Sequence, residues 1–448
     1  MRAVRLTASA KQLLRSASRE PIEDYFVTLA PQQKRSRWLP QANRYRVRCT
    51  SQYSEDLSAQ PHSVDHVALT QYVAASAPAH VIDGWSILGR AVESALRGDT
   101  YAAIHFGYYA ELRAAMSLLA CEGIGIFDKA HPVVRGNGTT VRLPNADFRR
   151  PNTQQYSSRP ATTHAIIWPV LRHWSALQRS GDLLSQVVRP NAILLSEWLN
   201  ACNAMTPARA LGRRWLLAWG TDLSVFEGDR NARNLASYRP SGFRSPPAVP
   251  AERTVEFVEE LWRLFEPSNG ARFPRLEALL LRRALQSAHG AQVNQAAIEN
   301  LGFAAGEAAQ WVTFLADRNE PIALTAADNQ LPIEDSDCHF GVISRAALLL
   351  FLATAATRRL LANGNYTSAT LDFWWKARGV SHGLWEAGAF PDHPFDAWAD
   401  IAGSLQSSRS WRDNAGGAFS LRAWRRGSLE PLDDLGAFDL IAMWGLMP

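Results

Sequence analysis

The chain has 448 residues, of which 47% are hydrophobic, and its formal net charge is +5. This composition excludes an intrinsically disordered protein. The four cysteines (Cys49, Cys121, Cys202 and Cys338) lie far apart, which excludes a disulfide framework and a zinc site built on closely spaced thiolates. We therefore expect a globular protein of a reducing compartment, the cytoplasm.

Residues 1–60 predict a basic N-terminal arm that is partly irregular. Positions 1–50 hold eleven Lys or Arg residues against three Asp or Glu residues. Only the stretch Arg44–Tyr53 alternates in the manner of a β-strand. A basic segment suits a polyanion such as nucleic acid, and the alternative is a solvated terminus that binds nothing.

Residues 61–240 predict a helical domain that contains two consecutive helices. In the first, Asp83 is a plausible N-cap, and apolar residues recur at three- and four-residue steps up to Gly98. The second runs from about Thr100 to Gly123, and the short link between them requires an antiparallel hairpin. "HPVVRGNGTTVRLP" (131–144) predicts a β-hairpin, and further helices are expected near 162–179, 190–203 and 207–219.

The segment "YRPSGFRSPPAVPAER" (238–253) predicts a boundary between two domains, because its four prolines prevent a regular helix or a central strand. Residues 251–448 predict a Trp-rich helical domain. Its longest apolar run, Ala346–Ala356, has 11 residues, whereas a membrane span needs about 20, so we expect a buried helix and no membrane contact. The fold class is therefore mainly α, with two domains, an antiparallel helical hairpin and a small β-hairpin.

The second helix of the hairpin carries an unusual number of polar residues for a buried element. His105, Tyr109 and Arg113 follow one another at four-residue steps, and Glu111 lies beside them. An unpaired buried polar group costs about 1–3 kcal/mol, so these side chains need partners. They either form an internal hydrogen-bond network or face a cleft, where they could bind a phosphate or a nucleotide.

The C-terminal stretch Ser407–Ser428 is a second candidate for nucleic-acid binding. It interleaves Trp and Arg residues, and exposed Trp rings can stack on unpaired bases while Arg contacts the backbone. Alternatively, the tryptophans belong to the core and the arginines form a solvated rim. The candidate binding residues here are Arg409, Trp411, Arg412, Arg422, Trp424, Arg425 and Arg426.

The predicted hairpin, residues 83–127, resembles the helical hairpin of HEPN-type proteins, which occur in bacterial mobile-element and anti-phage gene clusters. The pair Tyr108–Tyr109, the small and apolar residues that follow it, and the closing "GIGIF" carry the resemblance. Active HEPN ribonucleases use an Arg, usually followed by a polar residue, and a His four to six positions later. Arg159 and His164 have this spacing in "RPATTH", although Pro160 stands at the polar position. Arg283 and His289 have it too, but on a helix they would point to nearly opposite sides.

The sequence contains no GxxxxGK[ST] and no GxGxxG motif, and no His and Cys spacing that completes a metal site. We therefore expect no cofactor and no metal. What the resemblance implies is a non-catalytic or weakly catalytic component of an antiviral defence system, which binds nucleic acid or a protein partner encoded nearby. The alternatives are a metal-independent endoribonuclease that uses Arg159 and His164, and a helical scaffold subunit of a complex. A homo-oligomer is compatible with each of these three functions.

Overall fold

The computed structural model describes residues 4–59, 63–150, 155–205, 211–238, 251–268, 272–288, 290–415, 420–427 and 429–448. These residues are mostly helical, and their strands form two small antiparallel sheets, which confirms the mainly α class. The α-helices in chain order are α1 (Ala8–Arg15), α2 (Glu20–Thr28), α3 (Pro31–Lys34), α4 (Cys49–Ala59), α5 (His66–Leu96), α6 (Thr100–Cys121), α7 (Thr163–Ser175), α8 (Gln178–Val187), α9 (Leu195–Ala201), α10 (Leu211–Ala218), α11 (Phe226–Tyr238), α12 (Ala251–Leu264), α13 (Pro274–Ser287), α14 (Gln295–Glu299), α15 (Ala305–Ala316), α16 (Ile322–Thr325), α17 (Cys338–Asn363), α18 (Ser368–Ser381), α19 (Trp398–Ala415), α20 (Leu421–Gly427), α21 (Leu429–Gly436) and α22 (Asp439–Gly445).

The strands are β1 (Val4–Arg5), β2 (Pro132–Val134), β3 (Thr140–Arg142), β4 (Ala146–Arg149) and β5 (Tyr156–Arg159). Strands β2 and β3 pair as the predicted hairpin. Strands β1, β4 and β5 form a three-stranded sheet with β4 in the middle. Since β1 comes from the N-terminus and pairs with a strand about 140 residues later, this sheet fixes the start of the chain to the body of the protein.

The N-terminal arm is a folded part of the molecule, with four short helices and a stretch of turns and coil at 35–48. Helices α1, α2 and α4 bury apolar side chains, and Tyr45 is completely buried. The expected strand at Arg44–Tyr53 was wrong. It forms turns followed by α4, because Asp56 of that helix accepts hydrogen bonds from Tyr45 Oη and Arg44 Nη2, both at 2.6 Å.

Helices α5 and α6 form the antiparallel hairpin that the sequence predicts, and α6 begins at Thr100 as expected. The predicted start of α5 was wrong, since the helix begins at His66 and Asp65 caps it by accepting from Ala68 N at 2.9 Å. Gly98 and Gly123 follow the two helices with φ of 78° and 77°, a conformation that glycine adopts without strain.

Helix α17 packs against both helices of this hairpin and completes the centre of the core. Trp85 of α5 donates its indole N–H to Thr354 Oγ1 at 2.9 Å. Gly107 of α6 lets the two helices approach, because a Cβ there would lie 2.9 Å from Val342 Cγ1. Of the described helices, α17 alone is long and apolar enough to cross a bilayer, and its apolar part is buried within the protein. The prediction of a buried core helix is thus confirmed.

The segments before and after the predicted domain boundary share one hydrophobic core. Helix α17 belongs to the second segment and packs on α5 and α6 of the first. Most of the Pro-rich boundary, residues 239–250, lies outside the described residues. The division into two folding units stays a prediction, whereas the core itself is continuous.

Candidate functional site

Three helices bring together a set of imidazole, phenol and guanidinium side chains that we call the imidazole–arginine cluster. Helix α11 lies along the first half of α6, and the N-terminus of α7 meets both of them. Residues three or four positions apart share a helix face, which aligns the members within each helix. The cluster consists of His105, Tyr108 and Tyr109 on α6, His164 on α7, and Arg230 and Arg233 on α11.

His164 lies against the two tyrosines of α6. Its Nδ1 is 3.1 Å from Tyr108 Oη, and its ring stacks on the Tyr108 ring with centroids 5.8 Å apart. Tyr109 meets the same imidazole edge-to-face at 5.6 Å and contacts the His105 ring at 5.0 Å. His105 Nδ1 lies 2.7 Å from Ser237 Oγ. Both imidazoles therefore pack on Tyr109, and each has its Nδ1 held by a hydroxyl group.

Two arginines of α11 supply the positive charge of the cluster. Arg230 Nη1 donates to the His164 carbonyl oxygen at 2.5 Å. The Arg233 guanidinium carbon lies 5.2 Å from the ring centroids of both Tyr108 and Tyr109. Arg233 is only 6% exposed, its Nε has no hydrogen-bond partner, and it forms no ion pair within the described residues. A nearly buried cation without a counter-charge is costly, so this position favours an anionic ligand.

The environment of the cluster keeps both imidazoles neutral at neutral pH. Burial, followed by the charge of Arg233, lowers the pKa of His105. Burial, Arg233 and Arg230 together lower the pKa of His164. Burial raises the pKa of Tyr108 to about 12, so it remains a phenol. A neutral imidazole beside fixed cations can accept a proton, which a protonated one cannot do.

Glu111 lies one turn beyond Tyr108 and belongs to the interior of the protein. It is completely buried, and neither of its carboxyl oxygens accepts a hydrogen bond from a described residue. Arg345 of α17 binds Asp229 through Nε and Nη2, both at 2.8 Å, and its Nε lies 3.8 Å from Glu111 Oε1. Burial and the Asp229 carboxylate raise the pKa of Glu111 well above its usual range, against the influence of Arg345. Glu111 therefore takes the structural role that the sequence left open, in an internal network.

Arg113 does not join the cluster, although the sequence placed it in one row with His105. Its Nη1 lies 2.9 Å from His80 Nδ1 and 3.8 Å from Asp83 of α5. Eight residues turn a helix by roughly 80° beyond two full turns, which directs Arg113 toward α5 instead of α11. The row of His105 and Tyr109 thus ends before this residue.

Arg159 and His164, the pair that the sequence proposed for catalysis, have different neighbours in the structure. The Arg159 guanidinium lies 4.1 Å from the Phe148 ring centroid, on the three-stranded sheet. His164 instead contacts Arg230, 66 positions later in the chain. Sequence reasoning missed Arg230 and Arg233, and their only signal was a three-residue spacing on an amphipathic helix. In the second spaced pair, Arg283 binds Glu320 and Asp328, and His289 lies outside the described residues.

The C-terminal Trp and Arg stretch is largely a structural element. Trp424 is completely buried, so the expectation that it stacks on bases was wrong. Leu421 and Trp424 are three residues apart, which places both side chains on the inner face of α20. Trp411 is partly buried against the core, and Arg412 pairs with the buried Glu259 at 3.3 Å. Of the remaining candidates, Arg409, Arg422 and Arg426 are exposed, and Arg425 is partly exposed.

The fold and this cluster define a mainly α-helical protein with a nearly buried, unpaired guanidinium next to two partly exposed imidazoles. Comparisons with known protein families, with curated proteins and with solved structures found no match. The resemblance to HEPN-type proteins therefore stays a prediction.

Proposed function

We propose that the protein binds single-stranded RNA and holds a backbone phosphate at the imidazole–arginine cluster. The observation that carries this proposal is Arg233, a cation that is nearly buried and has no carboxylate partner among the described residues. A phosphate accepts charge-assisted hydrogen bonds from a guanidinium and would supply the missing counter-charge. Tyr109 and His105 present partly exposed rings beside it, on which an unpaired base can stack.

Binding of a labelled single-stranded RNA, measured by fluorescence anisotropy over a range of salt concentrations, tests the proposal. We expect Arg233→Gln to weaken binding about tenfold or more and to reduce the slope of log K against log salt by about one. Arg422→Gln is the matched control, since it removes an exposed arginine of the C-terminal stretch and should leave the affinity unchanged. The reverse pattern, a loss in Arg422→Gln alone, would refute the cluster as the binding site. Thermal unfolding of both variants separates lost binding from lost folding.

The cluster also favours a second function, metal-independent cleavage of the bound RNA. Each imidazole has its Nδ1 held by a hydroxyl, and its Nε2 makes no hydrogen bond within the described residues. In this reaction His164 accepts the proton of a ribose 2′-hydroxyl, and the 2′-oxygen attacks phosphorus. The bond from phosphorus to the 5′-oxygen breaks, the leaving oxygen takes a proton from water, and His164 then gives its proton to the resulting hydroxide. The products are a 2′,3′-cyclic phosphate and a 5′-hydroxyl.

RNA cleavage is tested with an unmodified substrate and a 2′-O-methyl substrate of the same sequence. We expect cleavage of the first only, persistence in EDTA, and loss in His164→Ala with RNA affinity retained. Cleavage that survives in His164→Ala but disappears in Arg159→Gln would return the chemistry to the pair that the sequence suggested. RNA binding without any cleavage leaves the binding function and removes the catalytic one.

We propose bacterial anti-phage defence in the cytoplasm as the biological setting, with a partner protein encoded by a neighbouring gene. The HEPN-type resemblance supports the setting, and the four buried free thiols suit a reducing compartment. Co-expression with the neighbouring gene product, followed by nuclease treatment, tests the partner. A complex that survives nuclease supports direct protein contact, whereas a complex that dissolves shows that nucleic acid bridges the two.

A further inference from the structure

A cavity that is separate from the imidazole–arginine cluster lies where α13 begins. Its volume is about 590 Å³, within the range of small-molecule sites. Its walls come from the turn at 189–192, the start of α13, α15, and Arg358 near the end of α17. The side chains used below are Arg189, Arg272, Glu277, Trp311 and Arg358.

Three arginines line this cavity, and Glu277 is the one acidic side chain beside them among the described residues. None of Arg189, Arg272 and Arg358 forms an ion pair with an acidic side chain in the described parts of the chain. Arg358 donates to the Gly445 carbonyl at 3.3 Å, and Arg272 donates to the Met447 carbonyl at 3.3 Å and to the main-chain oxygen of Pro448 at 3.1 Å. The Gly445 and Met447 carbonyls hold the side chains in place but do not cancel their charge. The interior Arg345, in contrast, binds Asp229 at two points.

The one acidic residue of the lining does not restore neutrality. Burial raises the pKa of Glu277 to about 7, against the influence of Arg358, so a large share of it is uncharged at neutral pH. Burial and Arg358 lower the pKa of Arg272 to about 10, so it keeps its proton under these conditions. The N-terminus of α13, a helix of 14 residues, adds the positive end of its dipole to the same cavity.

Trp311 gives the cavity an aromatic wall that its neighbours hold rigidly. Its ring contacts Trp198 at 4.8 Å and the edge of Phe314 at 5.7 Å between centroids, and part of it remains exposed at the cavity. Asn191 and Ala192, which also line the cavity, both adopt positive φ, 52° and 64°. Such conformations are rare for residues with a side chain and cluster at ligand sites, because the surrounding fold must hold them.

We propose that this cavity binds a purine nucleotide, whose phosphates contact Arg189, Arg272 and Arg358 and whose base stacks on Trp311. Arginine clusters bind phosphates without any Gly-rich loop, so the lack of such a motif in the sequence does not count against the site. The occupant differs from the RNA of the proposed function, and it would regulate the protein or serve as a co-substrate from a separate position.

Isothermal titration calorimetry with ATP, adenosine and inorganic tripolyphosphate tests this site. We expect saturable binding of ATP, weaker binding of tripolyphosphate, and no binding of adenosine at the same concentrations. Arg189→Gln should weaken ATP binding about tenfold or more, because it removes a charge-assisted contact. Since the Arg189 side chain is exposed, this variant should fold normally. Arg358→Gln gives a second test from inside the cavity.

Two control variants make the result specific. Arg275→Gln removes an exposed arginine from the same first turn of α13 that does not line the cavity, and ATP binding should stay unchanged. Arg233→Gln removes the cation of the imidazole–arginine cluster, and ATP binding should again stay unchanged. A lack of saturable ATP binding, or equal loss in all four variants, would overturn the site. Equal affinity for ATP and tripolyphosphate would overturn the assignment of a nucleotide.

Discussion

Glu111, Asp229 and Arg345 form an interior group. We predict that replacing Glu111 by its amide and replacing Asp229 by its amide have different effects on the stability of the protein. Asp229 makes both charge-assisted hydrogen bonds to Arg345 at 2.8 Å, whereas the nearest Glu111 oxygen lies 3.8 Å away. Because the pKa of Glu111 is raised well above its usual range, this residue carries its proton in the folded protein. Glu111→Gln therefore replaces one neutral group by another of the same shape, and we expect it to change the free energy of unfolding by less than about 1 kcal/mol.

Asp229→Asn leaves the buried Arg345 cation without its partner, a change that costs about 3–5 kcal/mol in comparable buried pairs. We expect the lower end, about 3 kcal/mol, because Glu111 can then ionise and become the counter-charge at a longer distance. The double variant of Glu111→Gln and Asp229→Asn lacks this compensation. Its cost should exceed the sum of the two single costs, by about 1–2 kcal/mol for residues in one network.

Urea unfolding followed by tryptophan fluorescence at pH 5 and pH 8 measures these differences. The folded pKa of Glu111 lies above the unfolded pKa, so the unfolded chain loses this proton first. Stability should therefore fall as the pH rises from about 4.5 through the folded pKa. Glu111→Gln should remove its share of that fall. The reasoning is refuted if Glu111→Gln costs as much as Asp229→Asn, or if Asp229→Asn is neutral.

Three further predictions concern other interior positions. The pKa of Glu277 is about 7 in the folded protein and 4.5 in the unfolded chain, so the protein should lose up to about 3 kcal/mol of stability as the pH rises from 4.5 to 7. Glu277→Gln should abolish this loss, and an unchanged pH profile of stability in the variant would contradict the prediction. Gly107→Ala should cost about 1–3 kcal/mol in thermal unfolding because its Cβ meets α17 at 2.9 Å, whereas Gly306→Ala, with nothing within 4 Å, should stabilise by about 0.5 kcal/mol. Thr354→Val leaves the buried indole N–H of Trp85 without an acceptor and should cost about 1–3 kcal/mol in denaturant unfolding, while an unchanged midpoint would refute that role.

The short-range features of this fold were readable from the sequence. The apolar spacing of α6, the glycine after each helix of the hairpin, the β-hairpin at 131–144 and the buried α17 all depend on residues a few positions apart. Errors arose where a local signal competed with packing. Asp83 has the chemistry of an N-cap, but the apolar pattern upstream continues the helix back to Asp65, even through Pro78. The N-terminal arm looked irregular because its helices are short and its strand pairs with β4.

The candidate site shows what only the tertiary structure decided. Sequence spacing directed attention to His105, Tyr109 and His164, but it paired His164 with the nearby Arg159. The fold instead brings Arg230 from 66 positions away. The cavity at α13 combines residues from 189 to 448, and no spacing rule joins them. Local patterns determine which helices form, since their hydrogen bonds and apolar faces repeat within one or two turns. Which charges end up without a partner depends on how the helices pack, because burial and neighbouring charges are set by residues distant in the chain.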